Sequence, residues 1–398
     1  MKTDCCRVCH GTDLVEVMDF GEMALAGGFL APGEEAGERR YPLSLSFCPD
    51  CTTLQVGQHI DRETVFGRYA YRTSASRAMR AHFEALACEL AVVYAPTRVV
   101  EIGCNDGAML RPLADMGVEV IGVDPSEAGD GVTCAKVVKR YFDASVAAEI
   151  GSADLVIACN VFAHVEDVHG FAAGVADMIG DHGVFVFETH YAGDMVRTCQ
   201  YDAIYHEHVF YWTLMSVEHL LAMHGLRVID VQQVNTHGGS MRYHVSRNGT
   251  RPASANVERL RMKERSRLLD WSGTYAKFAT RAEDHRARLK ATIDALRRDG
   301  AVVAGYGASG RANTMLQWGG IGLDYIVDDS PRRQGTLTPG THIPVLPPAA
   351  MRDNPPDWLL VTAWTFMEEI SGRIAGYRGG IVMPFPDVRL FPAMGRAA

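Results

Sequence analysis

Val99-Val100-Glu101-Ile102-Gly103-Cys104-Asn105-Asp106-Gly107 ends an apolar strand, turns on glycine and opens a helix. Glycines at such a turn let the backbone bend tightly and approach a ligand with no Cβ in the way. The next apolar stretch, Val120-Ile121-Gly122-Val123, ends at Asp124, about twenty residues downstream. An acid at that point can accept hydrogen bonds from both hydroxyls of a ribose. A dinucleotide fingerprint asks for G-x-G-x-x-G, whereas this loop is G-x-x-x-G. E-x-G-x-x-x-G with an acid at the second strand's tip fits an adenosylmethionine loop better. Its candidate residues are Glu101, Gly103, Asn105, Gly107, Asp124 and Pro125. The plain alternative is an ordinary strand–helix turn.

Outward from the loop, strands are expected at Arg98–Gly103, Val118–Val123, Asp154–Cys159, Gly183–Thr189, Arg227–Val234 and Met241–Ser246. Helical patterns such as Ala108–Met116 and Val217–His224 lie between several of them. Such alternation predicts a mostly parallel sheet covered on both faces. The short turn at Gly238 and Gly239 brings in the final strand antiparallel. Residues 255–298 are rich in Arg, Lys, Glu, Leu and Ala, which predicts one long helix or two stacked ones acting as a plain connector. After Gly300 the alternation resumes at Ala301–Gly305, Asp324–Val327, Trp358–Thr362 and Gly380–Met383.

The first seventy residues are loop-rich and carry Cys6-x-x-Cys9 and Cys48-x-x-Cys51. A two-residue gap lets both thiolates of a pair face one ion, and two such knuckles complete a tetrahedral site. Four thiolates leave no open coordination position, so a zinc here stabilises and does not catalyse. A redox CxxC is the rival, but no βαβ pattern surrounds either pair. Cys88, Cys104, Cys134, Cys159 and Cys199 read as buried thiols.

The fold class that follows is α/β in several units. A small zinc-binding domain (1–70) precedes a Rossmann-like class I methyltransferase domain (71–250). A helical connector (251–299) leads to a second Rossmann-like α/β domain (300–398). With 398 residues, 47% hydrophobic and 22% charged, there is material for several cores. A net charge of −9 without any basic run argues against nucleic acid and anionic membrane as partners. The start of the chain lacks a signal-peptide pattern, and the ten cysteines do not read as a disulfide framework, so the cytoplasm is expected.

With those residues in view, the sequence resembles the sugar C-methyltransferases that act on nucleotide-linked 4-keto-deoxyhexoses in antibiotic pathways. The likeness spans nearly the whole chain. It rests on the cysteine pairs, Tyr69-Ala-Tyr71-Arg-Thr-Ser74-Ala-Ser76, the cofactor loop and Asn160-Val-Phe-Ala-His164. Tyr205-His206-Glu207-His208, Tyr211, His237-Gly-Gly-Ser240-Met-Arg242, Gly305-Tyr-Gly307-Ala-Ser-Gly310 and Val327-Asp-Asp329 continue it. The resemblance implies S-adenosylmethionine as cofactor, structural zinc on Cys6, Cys9, Cys48 and Cys51, and His208 as general base. It implies catalytic companions in Tyr205, Glu207 and Tyr71, with Asn160 and His164 beside the sugar. His206, Ser240 and Arg242 are further expected substrate contacts. Two departures stand out: Ala24-Leu25-Ala26-Gly27 replaces a Pro-Leu-Ala-Asn run, and Arg311 replaces a lysine.

Carbon is not a ready nucleophile, so a proton beside a carbonyl must leave first, giving an enolate. Histidine is the side chain best suited to remove it near neutral pH. Glu207 is expected to balance a neighbouring ring, and Tyr205 or Tyr71 to donate to the enolate oxygen. Three other readings compete. One is a C-methyltransferase acting on a non-sugar metabolite. A second is an NAD-dependent oxidoreductase built on Gly305-x-Gly307-x-x-Gly310, with Asp328 and Asp329 downstream. The third is a zinc-ribbon binding protein with inactive α/β units.

Overall fold

The computed structural model describes residues 3–58, 60–66 and 72–393; Tyr71 lies outside them. Among the described residues, strands gather in three sheets. The first is an antiparallel meander of β1 (Val15–Ala24), β2 (Arg40–Phe47) and β3 (Leu54–Val56). Met18 and Phe20 of β1 face the core while Asp19 and Gly21 face out, the period of two that a half-buried strand shows. A register shift at Gly21 then turns Met23 and Ala24 inward.

The second sheet contains β4 (Arg98–Ile102), β5 (Glu119–Val123), β6 (Lys136–Val138), β7 (Leu155–Cys159) and β8 (Val184–His190), all parallel. All five residues of β7 are buried, because helices cover both faces and leave no polar side to the strand. The short β9 (Phe210–Tyr211) leaves this unit and extends the first sheet by pairing with β3. β10 (Leu226–Val234) and β11 (Ser240–Arg247) form the antiparallel hairpin expected from the glycine turn. The order is β10-β11-β8-β7-β4-β5-β6, so strand order reverses between β4 and β7. Ligands of open α/β sheets collect at the carboxyl ends beside such a reversal.

The third sheet joins β12 (Val303–Tyr306), β13 (Tyr325–Val327), β14 (Val345–Leu346), β15 (Trp358–Leu360), β16 (Gly380–Met383) and β17 (Arg389–Phe391). Its order is β14-β13-β12-β15-β16-β17, and only β17 runs antiparallel.

Residues 255–298 form two helices, Ala255–Ser266 and Ser272–Arg298, and they are more than a plain connector. The chain breaks at Leu268, whose φ is +52°, and not at Gly273, which lies inside the second helix. Tyr275, Phe278, Leu289 and Ile293 are buried in one core with Leu45 and Phe47 of the first sheet and Ile326 of the third. Glu264 reaches the other way and accepts hydrogen bonds from Leu214 and Met215 N–H (2.7 and 3.1 Å), capping the helix Leu214–Ala222. Cys88 corrects the expectation of a buried thiol, since it sits exposed on the helix Arg77–Tyr94. No helix among the described residues is long and apolar enough to cross a membrane.

Candidate active site and zinc site

The thiols of Cys6, Cys9, Cys48 and Cys51 lie within 4.8 Å of one another. Cys6 and Cys51 Sγ are 3.4 Å apart, as are Cys9 and Cys48. A tetrahedral zinc with sulfur at about 2.3 Å places its ligands roughly 3.8 Å apart, so the set fits one ion. Val8 and Gly11 N–H point at Cys6 and Cys9 Sγ, each at 3.4 Å. The turns need left-handed backbone at His10 and Thr52 (φ 61° and 59°).

At the reversal point, Gly103 and Gly107 have φ of +73° and +75°, and a Cβ at Gly103 would stand 2.2 Å from Val161 Cγ2. Asp124 holds the loop from the next strand: its carboxylate accepts from Asn105 N–H at 2.8 Å and from Ser126 N–H at 2.9 Å. Thr73 N–H donates to Asn105 Oδ1 (3.1 Å), and Ser74 donates to Asp106 Oδ2 from both N–H (3.1 Å) and hydroxyl (2.6 Å). The segment before the helix Arg77–Tyr94 thus clasps the loop. Among the described residues Glu101 is buried with Oε2 unpartnered, and Asp106 Oδ1 is likewise buried and unpartnered. Burial, with Asp124 and Asp106 nearby, pushes the Glu101 carboxyl well up. These acceptors border a site that could hold an adenosyl group carrying hydroxyl and ammonium donors.

His208 is linked to this loop through Val161 and His164. Its Nδ1 is 2.9 Å from Ala203 O, which can only accept, so Nδ1 carries the proton. Nε2 therefore accepts from the Tyr205 hydroxyl at 2.8 Å. Burial, then the neighbouring His164 and His190, hold the ring well below the ordinary histidine range, so it stays neutral. The His164 ring centroid stands 4.8 Å away, with Nδ1–H donating to Glu207 O at 2.5 Å. His164 N–H donates to Val161 O (2.8 Å), and Val161 is the side chain that packs on Gly103. The cofactor loop and the His208 cluster are contiguous through this residue. Asn160, at φ +57°, turns the chain away from β7.

Three family models cover the chain in order. Residues 6–66 match a putative zinc binding domain, 71–231 a methyltransferase domain, and 235–386 a C-methyltransferase C-terminal domain. The C-methyltransferase NovU of Streptomyces niveus is 32% identical across 98% of this chain and 97% of its own. The chain belongs to the sugar C-methyltransferase family. A ubiquinone biosynthesis O-methyltransferase of Rhizobium rhizogenes is 36% identical over 23% of this chain and 40% of its own. A solved S-adenosylmethionine-dependent methyltransferase from Clostridium acetobutylicum is 13% identical, covering 43% of this chain and 92% of its own with a TM-score of 0.34. This C-methyltransferase takes its methyl from S-adenosylmethionine and carries structural zinc.

Other expected residues of the methyltransferase are placed away from the His208 ring. Glu207 turns its carboxylate to the zinc-binding domain, where Gly27 N–H donates to Oε1 at 2.8 Å; it does not meet the ring. Burial raises its carboxyl, and Oε2 is unpartnered among the described residues. His206 points to Pro42 O (3.1 Å), held down to about 4 by burial. Arg242 is committed to Glu188 Oε1 (2.7 Å), Glu89 Oε2 (2.8 Å) and Gln232 Oε1 (2.9 Å). Ser240 is fully buried and donates to Thr236 O at 3.1 Å.

The second glycine loop does not resemble a dinucleotide cradle. A Cβ at Gly307 would meet Ala363 Cβ at 2.2 Å, so this glycine serves internal packing. Asp328 is occupied by Ala308 N–H (2.7 Å) and Ser330 N–H (2.8 Å). Gly310 faces the Tyr205 ring, a Cβ there lying 3.6 Å from Cζ. Beside it lies a cluster of His190, Gln200, Asp202, Arg311 and Trp364. The sequence signalled His190, at a strand end near Tyr205–His208, and Arg311, by its departure from lysine; Gln200, Asp202 and Trp364 carried no signal.

Proposed function

We propose that the enzyme methylates the carbon beside the ketone of a nucleotide-linked, thymidine-diphosphate type 4-keto-deoxy sugar, with His208 as the base that forms the enolate. The observation that carries this reading is the His208 ring, half-buried and neutral, with its proton on Nδ1 and its Nε2 lone pair held by the Tyr205 hydroxyl. A neutral imidazole with a directed lone pair is the form a general base needs. When the Tyr205 hydroxyl turns to the oxygen of the developing enolate, it stabilises that charge and frees Nε2 to take the proton. S-adenosylmethionine, when bound, supplies the electrophilic methyl.

Glu101, Gly103, Asn105, Gly107, Asp124 and Pro125 are proposed to hold the donor, and Asn160 and His164 to border the acceptor. Tyr71, which the family likeness implicates, belongs to the proposal on that ground alone. Glu207 serves in this reading as the tie between the Tyr205–His208 segment and Gly27, and not as a partner of the base. Cys6, Cys9, Cys48 and Cys51 are the proposed zinc ligands.

The test is turnover with thymidine-diphosphate-linked 4-keto-6-deoxyglucose and labelled S-adenosylmethionine. Label attached to a ring carbon next to the ketone supports the reading. Transfer to oxygen, or no transfer to this and the corresponding dideoxy sugars, counts against it.

A further inference from the structure

Both hydrogen-bond partners of His208 rest on the C-terminal domain. Ala203, whose carbonyl accepts the hydrogen bond from Nδ1–H, ends a single turn over Tyr201–Ala203. The middle residue of that turn, Asp202, is buried, and both its carboxylate oxygens are taken from beyond residue 300. Arg311 Nε donates to Oδ2 at 2.9 Å and a terminal nitrogen to Oδ1 at 2.8 Å, while Trp364 Nε1 donates to Oδ2 at 2.8 Å. The same guanidinium reaches Gln200 Oε1 (2.9 Å) and His237 O (2.6 Å), and it lies over the Trp364 ring at 5.0 Å. The other partner, Tyr205, packs its ring on Gly310, the residue before Arg311.

A fork of two parallel N–H donors fixes a carboxylate in orientation as well as position, which a point charge does not. Among the described residues, Asp202 is the side chain of the Tyr201–Ala203 turn that binds this guanidinium. If the fork is lost, Asp202 becomes a buried charge with a single indole donor, and the turn must relax to rehydrate it. The carbonyl of Ala203 moves with the turn, and the proton on His208 loses its acceptor. An imidazole without a fixed acceptor redistributes its proton between the two nitrogens, and a proton on Nε2 abolishes the lone pair that the Tyr205 hydroxyl holds.

We propose that Arg311 is a positioning residue: by clamping Asp202 it makes the C-terminal domain set the tautomer and placement of His208. The inference rests on reading His208 as the base. Methylation would then require a docked C-terminal domain even for an enzyme already loaded with its methyl donor.

The test uses the full-length zinc-loaded chain with isotope-labelled histidine, saturated with S-adenosylhomocysteine. Long-range proton–nitrogen correlation spectra report which nitrogen of His208 carries the proton. The wild type should show it on Nδ1. Arg311→Ala should populate the Nε2–H form, and kcat on thymidine-diphosphate-linked 4-keto-6-deoxyglucose should fall on the order of 10²-fold with little change in KM for S-adenosylmethionine. Arg311→Lys keeps the charge without the fork and should recover part of both. Trp364→Phe removes only one donor to Asp202 and gives a milder shift in a variant that disturbs less of the interface. A folded Arg311→Ala protein, or Arg311→Lys where the alanine variant does not fold, whose His208 proton stays wholly on Nδ1 overturns the inference. Normal turnover in His208→Asn would instead remove the base reading, whatever the spectra show.

Discussion

Leu54 of the zinc-binding sheet lies opposite Tyr211, three residues beyond His208. Val56 N–H also donates to Val209 O at 2.9 Å, so the strand leaving the proposed base is the last strand of the metal-bearing sheet. On the proposed reading the zinc therefore steadies the base from outside its site. Cys48 and Cys51 close the turn between β2 and β3, and β3 is the strand that holds β9.

Removing the zinc should uncouple two properties. With Cys48→Ser or after chelation, turnover should fall more steeply than S-adenosylhomocysteine affinity, because the cofactor loop is clasped by Thr73 and Ser74 and not by the metal knuckles. The thermal midpoint should drop by roughly 5 °C or more. Calorimetry and a thermal scan on the same sample decide it; equal losses of binding and turnover would contradict the division.

Gly103→Ala should be far worse than Gly117→Ala, although both positions have positive φ. At Gly117 a Cβ meets nothing within 4 Å, whereas at Gly103 it meets Val161 at 2.2 Å. The first should cost about 2–4 kcal/mol of stability and at least roughly tenfold in S-adenosylhomocysteine affinity; the second about 1 kcal/mol and no affinity. Denaturant titrations with parallel calorimetry read both, and similar losses in the two variants would refute the packing argument.

Arg242→Ala should behave as a stability variant. Its guanidinium is buried against the fully buried Glu188 side chain, which would be left with His82 alone at 2.7 Å. Breaking such a pair costs about 3–5 kcal/mol. The expectation that Arg242 contacts substrate would require instead a raised acceptor KM at near-normal stability, and the two are told apart by measuring both.

Glu264 should give the fold a pH dependence. Burial raises its carboxyl from 4.5 to about 7. A carboxyl raised in the folded state contributes stability that is full below its unfolded value and is lost as pH climbs through the folded one. Between pH 5 and pH 8 this removes about 3 kcal/mol. Urea midpoints of the wild type should fall over that window more than those of Glu264→Gln, which starts lower and stays flatter. Parallel curves would show that Glu264 does not titrate there.

Much of this was legible in the chain. The main strands of both larger sheets fall within a residue or two of expectation because buried parallel strands are continuous apolar runs, and Leu155–Cys159 has no other reading. The four thiols declare themselves by spacing. What the sequence hides is carried by short or relational features. β9 is two residues long and belongs to a sheet formed some 150 residues earlier, which no local pattern encodes. Glu207 sits beside His208 in sequence, yet adjacent residues face different ways, and its carboxylate ends on Gly27. Arg242 looks available as a lone arginine in a polar motif until Glu188 and Glu89 are seen to hold it. The break at Leu268 has no glycine or proline to announce it.

The central claim is that His208 removes a proton from carbon, and solvent exchange tests it without methyl transfer. Thymidine-diphosphate-linked 4-keto-6-deoxyglucose is incubated in deuterium oxide with enzyme saturated by S-adenosylhomocysteine, and deuterium beside the ketone is followed by mass spectrometry. Wild type should exchange that hydrogen, while His208→Asn, binding S-adenosylhomocysteine as before, should be slower by on the order of 10²-fold or more. Exchange by His208→Asn at the wild-type rate would contradict the account.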